Sequence, residues 1–291
     1  MSPEVVAIIV NYNTGDLLAK AVESVLAGSM EAAVEVVDNA STDGAVEAVR
    51  DNPSYRGRVT VTVNDRNRGF SGANNQVIRR LNAKYYLLMN PDCVLETDAV
   101  REFVAYMDSH PDVGLTGGAL KNPDGSIQKT SKRRFPTPWS SLARTLGLHR
   151  LKVGGARTAD FDLAAGTPAG GDAETVEAIS GALMFVRGAA LSRVGLLDEG
   201  YFLHCEDLDW CRRFWNAGYK VAYLPSAGAV HLKGGSGRGP TVIWHLHRGM
   251  SRFYRKHYHR QYPLVFSGLV YTGIYLRCLA LMAWSLLKGG R

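Results

Sequence analysis

Asn90-Pro91-Asp92 closes the apolar run Tyr86-Leu87-Leu88-Met89. A run of this kind reads as an interior strand covered on both faces. Pro91 cannot donate to a sheet ladder, so the strand must stop there. Asn90 and Asp92, two oxygen-bearing side chains, are thereby set at the carboxyl end of an inner strand, the edge where open α/β sheets bind ligands. The plain alternative is a Pro turn in which Asp92 or Thr97 starts the next helix. Three further loops fall at the same edge: Val10–Asn13, Val36–Gly44 and Asn67–Asn75. Together they offer an aromatic face (Tyr12), a carboxylate able to accept from a base N–H (Asp38), a cation (Arg68) and a helix N-terminus at Ser71–Ala73. That set suits a nucleotide diphosphate, although each residue alone is also an ordinary turn, loop or core residue.

A second group lies in Phe202–Tyr219, "FLHCEDLDWCRRFWNAGY". Glu206, Asp207 and Asp209 open a helix, where the helix dipole favours carboxylates. Asp209 is also spaced to pair with Arg212 or Arg213. Trp210, Phe214 and Trp215 supply aromatic surface of the kind sugars stack on. A carboxylate at a helix start beside such surface is placed to act as a general base. His231, after Leu224-Pro225, is a further candidate ligand.

The elements that must position these groups alternate through the first 120 residues. Strands are predicted at Val5–Val10, Val34–Val37, Val59–Val63, Tyr85–Met89 and Val113–Gly117. Helices are predicted at Thr14–Ala27, Thr42–Arg50, Ser71–Leu81 and Thr97–Ser109. Repeated β-α-β units imply an α/β fold with a mostly parallel central sheet and helices on both faces. Residues 121–175 turn basic and then rich in Gly, Ala and Thr. They read as an excursion with a mobile, lid-like loop near 130–175. Regular structure resumes with Val176–Arg187, a helix near Glu206–Ala217 and a strand at Lys220–Leu224.

With 291 residues the chain holds one large or two small domains. A net charge of +7 suggests anionic partners. The four cysteines match no zinc spacing, which favours a reduced, cytosolic compartment. "MSPEVVAIIV" reads as a first strand and not as a signal peptide. At the other end, Thr241–His259 interleaves Arg248, Arg252, Arg255, Lys256 and His257 with aromatics. It precedes an apolar stretch (264–287) long enough to span a bilayer but carrying Arg277 near its middle. Such a pair reads as an interfacial membrane anchor, the alternative being packing on the catalytic domain or in a homodimer. No dinucleotide GxGxxG and no P-loop GxxxxGK[ST] appears, which weighs against a dehydrogenase and an NTPase.

"IIVNYN", "VVDNASTDG", "NRGFSGANNQ", "LLMNPDCVLE", "ISGALMFVRGAAL" and "GLLDEGYFLHCEDLDWCRRFWNAGYKVAYLPSAGAVH" occur in this order over residues 4–236. In combination they resemble a family 2 glycosyltransferase of the GT-A fold. The Asn-Pro-Asp variant and "DGSIQKTSKRRFPTP" are similar to its rhamnosyltransferase-like branch. The resemblance implies a GT-A, Rossmann-like catalytic domain over 1–236 (nucleotide-sugar half 1–120, acceptor half 121–236), followed by a helical C-terminal extension over 237–291. It also implies a nucleotide-sugar site at Tyr12, Asn13, Asp38, Asn39, Arg68, Gly69, Asn75, Asn90 and Asp92. Asp92 and His231 would hold Mg²⁺ or Mn²⁺, with Asn90 standing where most members carry an Asp. Gly181 and Trp210 would lie on the acceptor side. Asp207 would take the acceptor proton in an inverting single displacement, Glu206 would orient acceptor or base, and Arg133 and Arg134 would assist from the mobile loop. The donor implied is dTDP-L-rhamnose, the acceptor polyprenyl-diphosphate-linked or a glycan, and the place the cytoplasmic face of the cell membrane. A UDP- or GDP-hexose donor is the enzymatic alternative. A basic nucleic-acid-binding protein leaves the carboxylates unexplained, so no nucleic-acid partner is expected.

Overall fold

The computed structural model describes residues 3–138, 171–232 and 239–289. Strands β1 (Val5–Asn11), β2 (Ala33–Asp38), β3 (Val59–Val63) and β4 (Tyr85–Met89) pair in parallel in the order β3-β2-β1-β4. Helices α1 (Leu17–Leu26), α2 (Ala45–Arg50) and α3 (Gly69–Arg80) connect them. Every residue of β1 and β4 is buried, as the unbroken apolar runs require. Along β1 the side chains alternate between two cores. Val5, Ala7 and Ile9 face α1 residues Leu18, Val22 and Val25, while Val6, Ile8 and Val10 share a core with Ala73 and Val77 of α3. At about 1.5–3 kcal/mol for each fully buried aliphatic side chain, these two layers fix the sheet that carries the site.

Beyond β4 the sheet continues with β10 (Leu183–Arg187), β6 (Val113–Lys121), β11 (Lys220–His231) and β5 (Cys93–Leu95). β10 is antiparallel to both its neighbours and β5 is antiparallel to β11, whereas β6 and β11 run parallel. Helix α4 (Ala99–Ser109) packs Phe103 and Met107 into the first core. β7 (Lys132–Arg133) pairs with β9 (Ala178–Ile179) in a separate ribbon, and β8 (Glu174–Thr175) adds to β11. Of the lid-like loop predicted near 130–175, residues 139–170 lie outside the described residues.

The strand predicted to end at Leu224 runs on to His231. Its register against β6 shifts between Leu224 and Gly228, so Pro225 sits in an irregularity where no ladder donor is needed. Glycine is required there: a Cβ on Gly228 would stand 2.6 Å from the Ala119 carbonyl oxygen. After this break the strand pairs with β5, which sets His231 opposite Cys93 and beside Asp92. β5 is too short to carry a periodicity of its own.

Helix α5 (Glu206–Asn216) follows two consecutive left-handed residues, His204 and Cys205, at φ 70° and 69°. Helix α6 (Pro240–His257) packs against it through ions. Asp209 accepts from Arg213 Nε at 2.8 Å and His257 Nε2 at 2.8 Å, and pairs with Lys256. Asp198 pairs with Arg252 and Lys256. Burial opposes ionisation of both aspartates, yet these cations hold Asp198 well below, and Asp209 below, the usual carboxylate range. Within the basic segment, Arg252, Lys256 and His257 are engaged by these aspartates. Arg248, Arg255 and Arg260 stay exposed.

Helix α7 (Leu264–Gly289) is anchored to α6 by Tyr254 Oη to Ser267 Oγ at 2.9 Å. Arg277 Nη1 donates to His247 Nε2 at 3.1 Å, so the charge inside the apolar stretch turns back toward the protein. Leu264–Leu287 is long and apolar enough to cross a membrane, and only 11% of its most apolar window is buried.

Candidate active site

The loops after β1, β2 and β3 interlock at the carboxyl edge. Asn11 and Asp38 are register partners, and Asn11 Nδ2 donates to Asp38 Oδ1 at 2.7 Å. Ser41 donates twice to Asp38, from its backbone N at 2.9 Å and its hydroxyl at 2.6 Å. Asp38 has no exposed surface, so in this structure it holds the loop from beneath and does not face solvent as a base reader. Asn13, left-handed at φ 52°, accepts from Thr42 N at 2.8 Å. Asn39 is buried and ties Gly69 O to Asn64 and to Arg68 N. Gly69, at φ 72°, lets α3 start against Phe202, whose carbonyl would lie 2.5 Å from any Cβ there. Phe70 N donates to that same carbonyl at 3.0 Å. Of the residues predicted to bind the nucleotide on these loops, Tyr12, Asn13 and Arg68 remain exposed. Tyr12 is 49% exposed, an aromatic face available to a base.

Asp92 and His231 form the second cluster. Asp92 Oδ1 lies 3.2 Å from His231 Nε2, with both side chains largely buried. Gln128 grips the histidine twice: its Oε1 is 3.0 Å from Nδ1, and its Nε2 donates to the His231 carbonyl at 3.2 Å. Cys93 lies in the same cluster. Burial and then the Asp92 charge push its thiol well above the usual range, and its Sγ donates to Ala182 O at 3.6 Å. The donor set that fits a hard divalent cation is therefore one carboxylate oxygen and one imidazole nitrogen, with open positions for further oxygens. Asn90 is half-buried beside it, and its backbone N donates to Ala182 O at 3.0 Å.

Glu206 and Asp207 form the third. Asp207 Oδ2 is ion-paired with Arg133 Nη2 and accepts from Gly181 N at 2.9 Å, while Oδ1 accepts from Leu208 N at 2.7 Å. Burial opposes ionisation, but Arg133 and these backbone donors hold the carboxyl below its ordinary range. Glu206 is the reverse case. Burial, then the charge on Asp207, push its carboxyl well up. Its Oε2 is buried without a hydrogen-bond partner among the described residues. Adjacent carboxyls pushed apart in this way take different protonation states at neutral pH.

The two-residue stretch Gly181-Ala182 joins the second and third clusters. Ala182 O receives Asn90 N, and Gly181 N reaches Asp207. Gly181 is thus beside Asp207, and a Cβ on it would sit 3.2 Å from Asp207 Cβ.

Three expectations are corrected. Trp210 is not an acceptor-facing platform: it is fully buried, with Nε1 donating to Gly195 O at 3.0 Å. The i, i+4 face it shares with Phe214 packs onto the sheet, and of the three aromatics only Trp215 stays half-exposed. Asn75 is also fully buried, and holds the Leu197 backbone through both amide atoms, at 2.8 and 3.2 Å. Arg133 lies on β7, donating to Ile179 O at 2.7 Å as well as pairing with Asp207, and is not in a loop. Arg134 beside it is exposed. Sequence reasoning missed Gln128 and Ser41. Both lie inside quoted motifs, but only long-range pairing reveals their partners.

The chain is similar to known proteins in sequence and in fold. A family model described as Glycosyl transferase family 2 matches residues 6–161. The chain is 29% identical over 265 residues to an N-acetylglucosaminyl-diphospho-decaprenol L-rhamnosyltransferase of Mycobacterium tuberculosis, covering 80% of this chain and 78% of that protein. It is 26% identical over 189 residues to rhamnosyltransferase WbbL of Escherichia coli, covering 61% and 67%. In fold it resembles the mannosyltransferase PcManGT from Pyrobaculum calidifontis, solved with GDP-Man and Mn²⁺ (TM-score 0.59, 18% identity, 100% of this chain and 76% of that one). It also resembles GalNAc-T7, solved with UDP, GalNAc and Mn²⁺ (TM-score 0.60, 18% identity, 87% of this chain and half of that one). These likenesses give the GT-A fold. Since the matching model spans more than half of the 291 residues, including the loops that build the first cluster and the Asn90-Pro91-Asp92 turn, the chain belongs to glycosyl transferase family 2.

Proposed function

We propose that this glycosyltransferase moves L-rhamnose from dTDP-L-rhamnose to a polyprenyl-diphosphate-linked or glycan acceptor, with inversion, at the cytoplasmic face of the cell membrane. The observation that carries the mechanism is the two-residue stretch Gly181-Ala182, which joins the Asp92 turn to Asp207. Donor diphosphate and acceptor hydroxyl would then meet across one short stretch of backbone. The rhamnosyltransferase relatives, one named for a diphospho-decaprenol-linked sugar, support the donor and the lipid-linked acceptor.

Asp207, ionised, accepts the acceptor proton as its hydroxyl oxygen attacks the anomeric carbon. Glu206, protonated at neutral pH, donates a hydrogen bond that holds the acceptor oxygen. Tyr12 stacks on the base, and Asn13 and Arg68 border the nucleotide. Asp92 and His231 would hold Mg²⁺ or Mn²⁺, which when bound neutralises charge on the departing nucleotide diphosphate. Neutral Asn90 beside Asp92 keeps the charge facing that diphosphate low. Arg133 lies on the Asp207 side, where it tunes the base. The apolar face of α7, with Arg255 and Arg260 near its start and Arg248 farther along α6, suits contact with an anionic membrane surface.

Nucleotide release from dTDP-L-rhamnose, UDP-glucose and GDP-mannose, each with a polyprenyl-diphosphate-linked acceptor, with Mn²⁺ and with EDTA, tests this reading. Metal-dependent turnover of dTDP-L-rhamnose alone supports it. Turnover of another donor alone overturns the sugar assignment, and full turnover in EDTA overturns the metal site.

A further inference from the structure

We propose that Gln128 is a positioning residue that locks the His231 ring in one tautomer, with the proton on Nδ1 and the lone pair of Nε2 aimed beside Asp92. The inference rests on the reading of Asp92 and His231 as holding a divalent cation, and it assigns a job to a residue outside that pair.

A backbone carbonyl can only accept, so the contact between Gln128 and His231 O must come from the amide NH₂. That orientation turns the amide oxygen to Nδ1, 3.0 Å away. An oxygen acceptor there requires Nδ1 to carry the hydrogen, which leaves Nε2 unprotonated in the neutral ring. Nε2 in turn lies 3.2 Å from Asp92 Oδ1. In the neutral ring, Nε2 and Asp92 Oδ1 then present two lone pairs close together, a donor arrangement that suits a cation. Outer partners that orient a ligating histidine are a general feature of such sites.

Gln128 is itself immobilised. It is 4% exposed. Its backbone N donates to Leu120 O at 2.7 Å, and its carbonyl accepts from Ser131 N at 3.0 Å and Ser131 Oγ at 2.8 Å. The turn at Asn122–Ser126, closed by Asn122 N to Ser126 O at 2.8 Å, returns the chain to deliver it there. Gln128 therefore reaches His231 from a strand-and-turn frame that does not depend on the catalytic helix α5.

The test uses the full chain and Mn²⁺ alone, followed by electron paramagnetic resonance titration. Wild type should bind Mn²⁺ and Asp92→Asn should not. Gln128→Leu should weaken Mn²⁺ binding by about 10–100-fold, while Gln128→Glu, whose carboxylate still accepts from Nδ1–H, should recover most of the loss. Thermal melts confirm that each variant is folded. Long-range ¹⁵N NMR of metal-free protein at alkaline pH should report the Nδ1–H tautomer of His231 in wild type and a mixture in Gln128→Leu. Wild-type Mn²⁺ affinity in Gln128→Leu, or an Nε2–H tautomer in wild type, overturns the inference. If wild type binds no Mn²⁺, the cation reading falls, and the tautomer measurement still decides the role of Gln128.

Discussion

Arg133 and Asp207 meet as an ion pair inside the candidate active site, and the same guanidinium nitrogen also donates to the Ile179 carbonyl. The base is therefore kept ionised by a cation fixed on a strand. Replacing it by Arg133→Gln removes the attraction and leaves burial opposed only by the backbone donors of Gly181 and Leu208. The acid limb of kcat/KM against pH should move upward by about 1–3 pH units. An unchanged limb would show that Arg133 does not tune the base.

Glu206 carries the opposite shift. Burial first, and Asp207 second, push its carboxyl up. The folded protein then holds a proton that an unfolded glutamate, with pKa about 4.3, has released. Its favourable contribution is present at low pH and is lost as pH rises through the raised value. Glu206→Gln should therefore gain stability relative to wild type between pH 5 and pH 9, read as the difference in Tm. The same substitution should flatten any alkaline limb of transfer, since glutamine still donates. Parallel Tm profiles for the two proteins would contradict the assignment.

Gly181 is a packing requirement of the base. A methyl group there would press on Asp207 Cβ and Oδ2 at 3.2 and 3.3 Å. Gly181→Ala should lower kcat by roughly tenfold, within the range that small misplacements cost, with little change in Tm. A kcat equal to wild type would show that Asp207 tolerates the shift.

Much of this was legible in the residues, for physical reasons. β1 and β4 carry unbroken apolar runs because both faces are buried, and Pro91 ends β4 where the sequence says it must. Glu206 and Asp207 open α5 as expected. What stayed hidden depends on long-range pairing. His231 reaches Asp92 only because β11 breaks register near Pro225 and then pairs with the three-residue β5. Trp210 and Asn75 looked like site residues by type. Helical register buries the first, and a backbone segment more than 100 residues away claims the second. Three cations of α6, read from the sequence as part of a membrane face, also pair with Asp198 and Asp209, partners distant in sequence that spacing could not show.

The exposed face of α7 makes a separate prediction. Leu269 and Leu276 are 66% and 62% exposed on a helix long enough to span a bilayer. The full chain should co-sediment with vesicles containing anionic lipid, and the double variant Leu269→Glu/Leu276→Glu should lose most of that binding while keeping its Tm. Equal sedimentation of both proteins would contradict membrane contact through this face.

Rhamnosyl transfer by Asp207→Asn tests the central claim most directly. The measurement is single-turnover transfer from dTDP-L-rhamnose to a polyprenyl-diphosphate-linked acceptor in the presence of Mn²⁺, together with donor Kd. The expected result is a loss of at least about 100-fold in transfer rate with donor Kd unchanged. Transfer near the wild-type rate by a folded, donor-binding Asp207→Asn protein would contradict the account.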